Sequence, residues 1–158
     1  MDFESILDPH AVVGLDCDET LINGPYSHDL LTWCKEHHED KDLHVITFRE
    51  YAPYRDLANF GYDVNWFTFH CLPRDISISY RLALPLFRQS SYAIEKKLRK
   101  GLLSQESWQQ CRSAITAFRE WKGSICHAVG ASVLVDDLPL AVLPGCRKYG
   151  IAFVGVRK

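Results

Sequence analysis

An α/β domain on a mainly parallel sheet, a Rossmann-like three-layer sandwich with a small helical insertion, is the fold class that the sequence predicts. Two observations carry that prediction. Apolar runs of four to six residues recur at 11–15, 43–48, 64–69, 132–135 and 151–154, several of them rich in β-branched or aromatic residues, as buried strands are. The intervals between them are long enough for helices, and strands alternating with helices build parallel sheets whose ligands collect at the strand carboxyl ends. With 158 residues the chain fits a single domain, 1–158, in which residues 74–121 read as a helical insertion or elaboration.

Taken in order, the first run, 11–15, ends in acidic residues and leads to a short Asn23-Gly24-Pro25 turn. Ser27 is then expected to cap a helix carrying Leu30, Leu31 and Cys34. The strand at 43–48 precedes a helix over 49–60 that stops at Gly61, and the run at 64–69 supplies a third strand. Pro73 and Pro85 punctuate the next stretch, and helices are expected over 91–100 and 104–122, separated by Gly101. The second of these sets Trp108, Cys111, Ile115 and Phe118 on one face. Residues 73–103 are expected to add to the sheet without a second hydrophobic core. A short helix over 123–130 leads to the strand at 132–135, and Pro144 is expected to shorten or kink the helix that follows.

Composition narrows the function classes. The chain is 47% hydrophobic and 24% charged, which excludes a disordered or disulfide-dense scaffold. The net charge of −2 conceals unlike pieces: residues 1–73 carry 4 basic and 14 acidic groups, 74–122 carry 10 and 4, and 123–158 carry 4 and 2. No apolar run reaches the roughly 18–20 residues of a membrane span, and Met1 is followed by Asp2-Phe3-Glu4 rather than a basic leader, so a cytoplasmic protein with no membrane partner is expected. Cys17, Cys34, Cys71, Cys111, Cys126 and Cys146 form no CxxC pair and are expected to be reduced and mostly buried; a zinc site joining His70-Cys71 to Cys126-His127 is the alternative.

Two strand ends carry the chemistry. Residues 11–15 run into Asp16-Cys17-Asp18-Glu19-Thr20, where two carboxylates two positions apart share a face if the chain stays extended. Ser132-Val133-Leu134-Val135 runs into Asp136-Asp137 in the same way. Neighbouring parallel strands would bring Asp16, Asp18, Asp136 and Asp137 into one cleft, where like charges repel unless a cation lies among them, and hard carboxylate oxygens suit Mg²⁺. His44-Val45-Ile46-Thr47 is a third apolar strand, ending in a hydroxyl.

Asp16-x-Asp18-x-Thr20 after a strand, Thr47 ending the next, a later Lys, and Asp136-Asp137 after another strand resemble the four ordered motifs of the haloacid dehalogenase (HAD) superfamily. The likeness covers residues 11–156 apart from the insertion, and the second Asp belongs to its phosphatase branch. It implies a Mg²⁺-dependent phosphomonoester hydrolase that works through an aspartyl-phosphate. Asp16 would be the nucleophile and Asp18 the general acid and base, while Asp16, the Asp18 carbonyl, Asp136 and Asp137 would hold Mg²⁺. Thr47 would bind a phosphoryl oxygen, and a Lys would offset the developing charge. Lys122 fits the Lys position before the last acidic strand, with Lys96, Lys97 and Lys100 as competitors. Thr20 and Arg49 are candidate substrate-binding residues, Arg49 being equally suited to pairing with the acidic first half.

The interval between Asp18 and Thr47 is too short for a large cap, which in this superfamily favours big substrates. Asp16-Cys17-Asp18-Glu19-Thr20-Leu21 and Asp136-Asp137-Leu138-Pro139 are also similar to phosphoprotein phosphatases of the polymerase-tail type. The expected substrate is a phosphorylated one: a nucleotide, a polynucleotide end or a phosphoprotein. Arg74, Arg81, Arg88, Lys96, Lys97, Arg99 and Lys100, interleaved with Tyr80, Phe87 and Tyr92, make nucleic-acid contact the competing role, alongside a non-catalytic module that retains the fold.

Overall fold

The computed structural model describes residues 1–157. Five strands, β1 (Val12–Leu15), β2 (Asp42–Thr47), β3 (Phe67–Cys71), β4 (Val133–Asp136) and β5 (Ala152–Gly155), form one sheet in the order β3-β2-β1-β4-β5. Every pairing is parallel. The chain builds outward from β1 through β2 to β3, then returns to the other side of β1 for β4 and β5. The topological switch point therefore falls between β1 and β4, where an open parallel sheet leaves a crevice at its carboxyl edge.

The two faces of the sheet are covered by different helices, as a three-layer sandwich requires. On one face Val13, Leu15, Leu43, Val45, Val133 and Val135 form a single apolar cluster with Phe3 and Leu7 of α1 (Phe3–Leu7), Leu30, Trp33 and Cys34 of α2 (Ser27–His37), and Leu57 of α3 (Tyr54–Phe60). The opposite face carries Gly14, Ile46 and Leu134 against Cys126 of α6 (Gln105–Val129). Gly14 leaves little room: a Cβ there would lie 3.1 Å from Cys126 Sγ and from Ile46 Cδ1, so both side chains would have to shift.

Several expected boundaries move for local reasons. The helix expected from residue 49 starts only at Tyr54, because Pro53 disfavours helical backbone at Ala52, and it ends at Gly61 with φ 114°. Residues 64–66 form a 3-10 turn, so β3 begins at Phe67. Ser27 is the first residue of α2 rather than its cap; its hydroxyl donates to the Thr20 carbonyl at 2.9 Å and accepts from the Gly24 amide at 2.8 Å. It fastens the turn after β1 instead.

The two expected helices at 104–122 and 123–130 are one, since α6 runs through Gly123 without a break. That glycine serves packing. A Cβ on it would sit 2.3 Å from the Gly145 carbonyl carbon in α7 (Pro139–Tyr149), and one on Gly145 would sit 2.8 Å from the Glu120 carbonyl oxygen. Two glycines thus let α6 and α7 meet backbone to backbone. Helix α7 likewise continues through Pro144 rather than ending there. Gly123→Ala is expected to force the helices apart at a cost of about 3 kcal/mol. For a chain of this size that lowers Tm by roughly 6–12 °C in a thermal melt followed by circular dichroism, and a shift under 2 °C would count against this packing account.

The chain divides into two compact units, one comprising Met1–Leu72 with the chain from Glu120 onward, the other Pro73–Arg119. The second holds α4 (Arg74–Phe87), α5 (Ser91–Arg99) and the first part of α6. It has an apolar cluster in which Ala83 of α4 meets Cys111 and Ile115 of α6, with Tyr80, Phe87 and Trp108 packed on them, so residues 73–103 build it only together with α6. Tyr80 stacks on Phe118 at 3.8 Å and Phe87 on Trp108 at 6.4 Å, so two of the three aromatics among the basic residues serve this unit's interior. Tyr92 is exposed. Among the described residues, no helix is long and apolar enough to cross a membrane.

Candidate active site

The site grows from the switch point. Asp16 directly follows β1, and its amide donates to the Val135 carbonyl at 2.9 Å, which locks the end of β1 to the end of β4. Asp136 closes β4, so its carboxylate and that of Asp16 emerge side by side. Asp137 completes the group: ligand oxygens of Asp16, Asp136 and Asp137 lie within 4.8 Å of one another. All three are at most 8% exposed.

Lys122 is the cation of this cluster. It is fully buried, and its Nζ donates to Asp16 Oδ1 at 2.5 Å and to Asp136 Oδ2 at 2.7 Å. It also lies 4.3 Å from the centre of the Phe48 ring, within cation–π range. Lys122 does not begin a helix; it projects from the interior of α6, one residue before the glycine at which α6 meets α7. The close approach of those helices therefore sets its depth. Lys96 and Lys100 lie on α5 and at its end and are exposed, and Lys97 is on α5.

Burial and charge work against each other here. Desolvation pushes the Asp16 carboxyl up to about 7; the Lys122 ammonium opposes the rise, and the Asp136 carboxylate adds to it. Lys122 is held above its ordinary value despite burial, because carboxylates flank it. With all three carboxyls ionised, one ammonium leaves the cluster short of positive charge by the equivalent of one divalent cation. An all-oxygen donor set lacking that charge fits Mg²⁺, a hard cation bound through carboxylates.

The Asp18 carboxylate does not join the group. The chain leaves the extended conformation after Asp16 and turns tightly, with Glu19 and Asn23 at φ 55° and 62° and the Ile22 amide donating to the Cys17 carbonyl, so the two-residue alternation of a strand no longer applies. Asp18 is gripped by Arg49 instead: Nε donates to Oδ2 at 2.9 Å and Nη2 to Oδ1 at 2.5 Å, a bidentate fork. Arg49 also donates to Asp56 of α3. Of the two roles open to Arg49, pairing with the acidic first half is therefore occupied in this structure.

Thr47 ends β2 at 1% exposure, and its hydroxyl accepts from the Arg49 amide at 3.2 Å. Thr20 is equally buried, and its Oγ1 has no hydrogen-bond partner. Phe48 and Asp56 escaped the sequence reading. Phe48 had a faint signal, as the neighbour of Thr47 at a strand end; Asp56 had none, because an acid in the first turn of a helix is ordinary. The zinc alternative finds no support among the described residues. His70 Nε2 meets His44 Nδ1 at 2.9 Å, His127 stacks on Tyr149, and no group of three ligands includes either. All six cysteines are free thiols, and five are buried.

Compared with known proteins, the chain finds no match: no family model, no curated protein and no solved structure is similar to it at a significant level.

Proposed function

We propose that this chain is a phosphomonoesterase of the HAD type that uses Mg²⁺ and an aspartyl-phosphate. The observation that carries the proposal is the fully buried Lys122 bridging Asp16 and Asp136 at the carboxyl edge of two neighbouring parallel strands, with Asp137 beside them. Buried charge of this density costs stability and is hard to account for unless it is used.

In this reading Asp16 attacks phosphorus, forming a bond to its carboxylate oxygen as the ester oxygen departs, and water later releases phosphate. Asp16, Asp136 and Asp137, with the Asp18 backbone carbonyl, would hold Mg²⁺, which when bound supplies charge neutralisation and orientation of the phosphoryl oxygens. Lys122 fixes the Asp16 carboxylate and offsets charge that develops beside it. Thr47 donates its hydroxyl hydrogen to a phosphoryl oxygen while still accepting from the Arg49 amide. Before substrate binds, the Asp18 carboxylate is engaged by Arg49; an incoming phosphoryl anion competes for the guanidinium and frees Asp18, which takes up a proton from solvent, gives it to the leaving oxygen and then takes one from the attacking water. Similar competition explains how one arginine can serve both of its expected roles.

The test is hydrolysis of phenyl phosphate with Mg²⁺, with EDTA, and by Asp16→Asn with Mg²⁺. Turnover is expected only in the first. Equal rates for wild type and Asp16→Asn would overturn the proposal.

A further inference from the structure

Resting on that phosphomonoesterase reading, we infer that the leaving group of the substrate is an uncharged, hydroxyl-rich unit, the sugar of a sugar phosphate or of a nucleoside monophosphate, seated in a hollow beside Arg49. The hollow has a volume of about 340 Å³ and is bounded by Ile22, Asn23, Arg49, Asp56, Asn59 and Phe60. That is at the small end of ligand pockets, which run from about 300 to 1,000 Å³.

Its position follows from Arg49, which forms one wall and grips Asp18 with two hydrogen bonds. The group expected to protonate the leaving oxygen thus shares that guanidinium with the hollow. Its walls are fixed. Ile22 is 4% exposed, Asn23 is held at φ 62° by the tight turn, and Phe60 is stacked on His28 at 5.0 Å and on Tyr62 at 5.8 Å.

Its charge selects the ligand. Arg49 is the one cation of the lining, and two carboxylates, Asp18 and Asp56, already pair with it. A second phosphate, a polynucleotide backbone or an acidic peptide would enter a wall with surplus negative charge. Hydroxyl groups suit it better, donating to Asp56 and the Asn59 carbonyl and accepting from the side-chain amides of Asn23 and Asn59. Tyr51, 68% exposed with its ring centre 6.0 Å from the Arg49 guanidinium, offers a flat surface beside that arginine on which a base would stack.

The experiment compares kcat/KM, with the full chain and Mg²⁺, for ribose 5-phosphate, a nucleoside 5′-monophosphate, a 5′-phosphorylated trinucleotide and phenyl phosphate. One or both of the first two are expected to exceed each of the last two at least tenfold. A nucleotide preferred over ribose 5-phosphate assigns the base to Tyr51, and equal values assign the sugar alone. Asn59→Ala, an exposed position on α3, is expected to lower the preferred substrate's kcat/KM relative to phenyl phosphate about fivefold, mostly through KM, the scale of one lost neutral hydrogen bond. Best turnover of phenyl phosphate or of the trinucleotide, or an Asn59→Ala ratio unchanged within twofold, overturns the inference and leaves the hydrolase reading standing. Hydrolysis of none of the four overturns both.

Discussion

Asp16→Asn is expected to lose phenyl phosphate hydrolysis about a thousandfold or more and at the same time to melt higher than wild type in metal-free buffer. The first effect is the removal of the nucleophile. The second follows from the local charge. Asp16, Asp136 and Asp137 crowd one buried ammonium, and the amide keeps the shape of the carboxyl while removing one of the like charges. Lys122 keeps its contact with Asp136 at 2.7 Å, so no buried charge is left alone. A relief of about 1 kcal/mol would raise Tm by roughly 2–4 °C. The sign with pH can be worked out. Burial raises the Asp16 carboxyl from 3.8 to about 7, so the native state holds its proton where the unfolded chain has released it. Metal-free wild type therefore loses stability from this group as pH rises from about 4 through about 7, and Asp16→Asn does not. Melts at pH 5 and pH 8, with and without Mg²⁺, check this: the gap between variant and wild type widens at pH 8 and closes or reverses when Mg²⁺ binds the wild type. A variant that melts below wild type at pH 8 without metal would show that the three carboxylates are not under mutual strain.

The sheet was legible because its evidence is local. Each buried strand needs a continuous apolar run, and all five runs stand within a few residues of where the strands lie. The acids at the ends of β1 and β4 were legible for the same reason, and parallel order then made their meeting a matter of topology. What the sequence hid was set by partners distant in the chain. Gly123 looks like a helix break until Gly145 is seen against it, so a 25-residue helix was read as two pieces. Asp18 looks like the companion of Asp16 until the turn fastened by Ser27 carries it toward Arg49. The Arg49 to Asp56 pairing rests on the position of α3, which starts at Tyr54 rather than at residue 49. Strand ends announce themselves, whereas helix depth and the direction of side chains in turns are properties of packing.

Lys122→Met is the complementary experiment, and its expected outcome is a destabilised protein. The methionine fills much of the lysine's volume and retains contact with Phe48, so the substitution chiefly removes charge. Asp16, Asp136 and Asp137 would then be buried with no cation among them, and breaking a buried pair in this way costs about 3–5 kcal/mol. Against a typical domain stability of about 5–15 kcal/mol that is a large share, and it corresponds to a Tm lower by roughly 6–20 °C. Two additions separate charge from packing. Mg²⁺ should recover more Tm in Lys122→Met than in wild type, because it supplies charge the variant lacks. Combining Lys122→Met with Asp16→Asn should cost less than the sum of the separate effects, as it does when two residues share one electrostatic cluster. Additive effects, with no extra response to Mg²⁺, would mean that Lys122 acts as a packed side chain. A double variant that exceeds Lys122→Met by clearly more than Asp16→Asn gains over wild type would instead identify the ammonium as what holds the Asp16 carboxylate in place before the metal arrives.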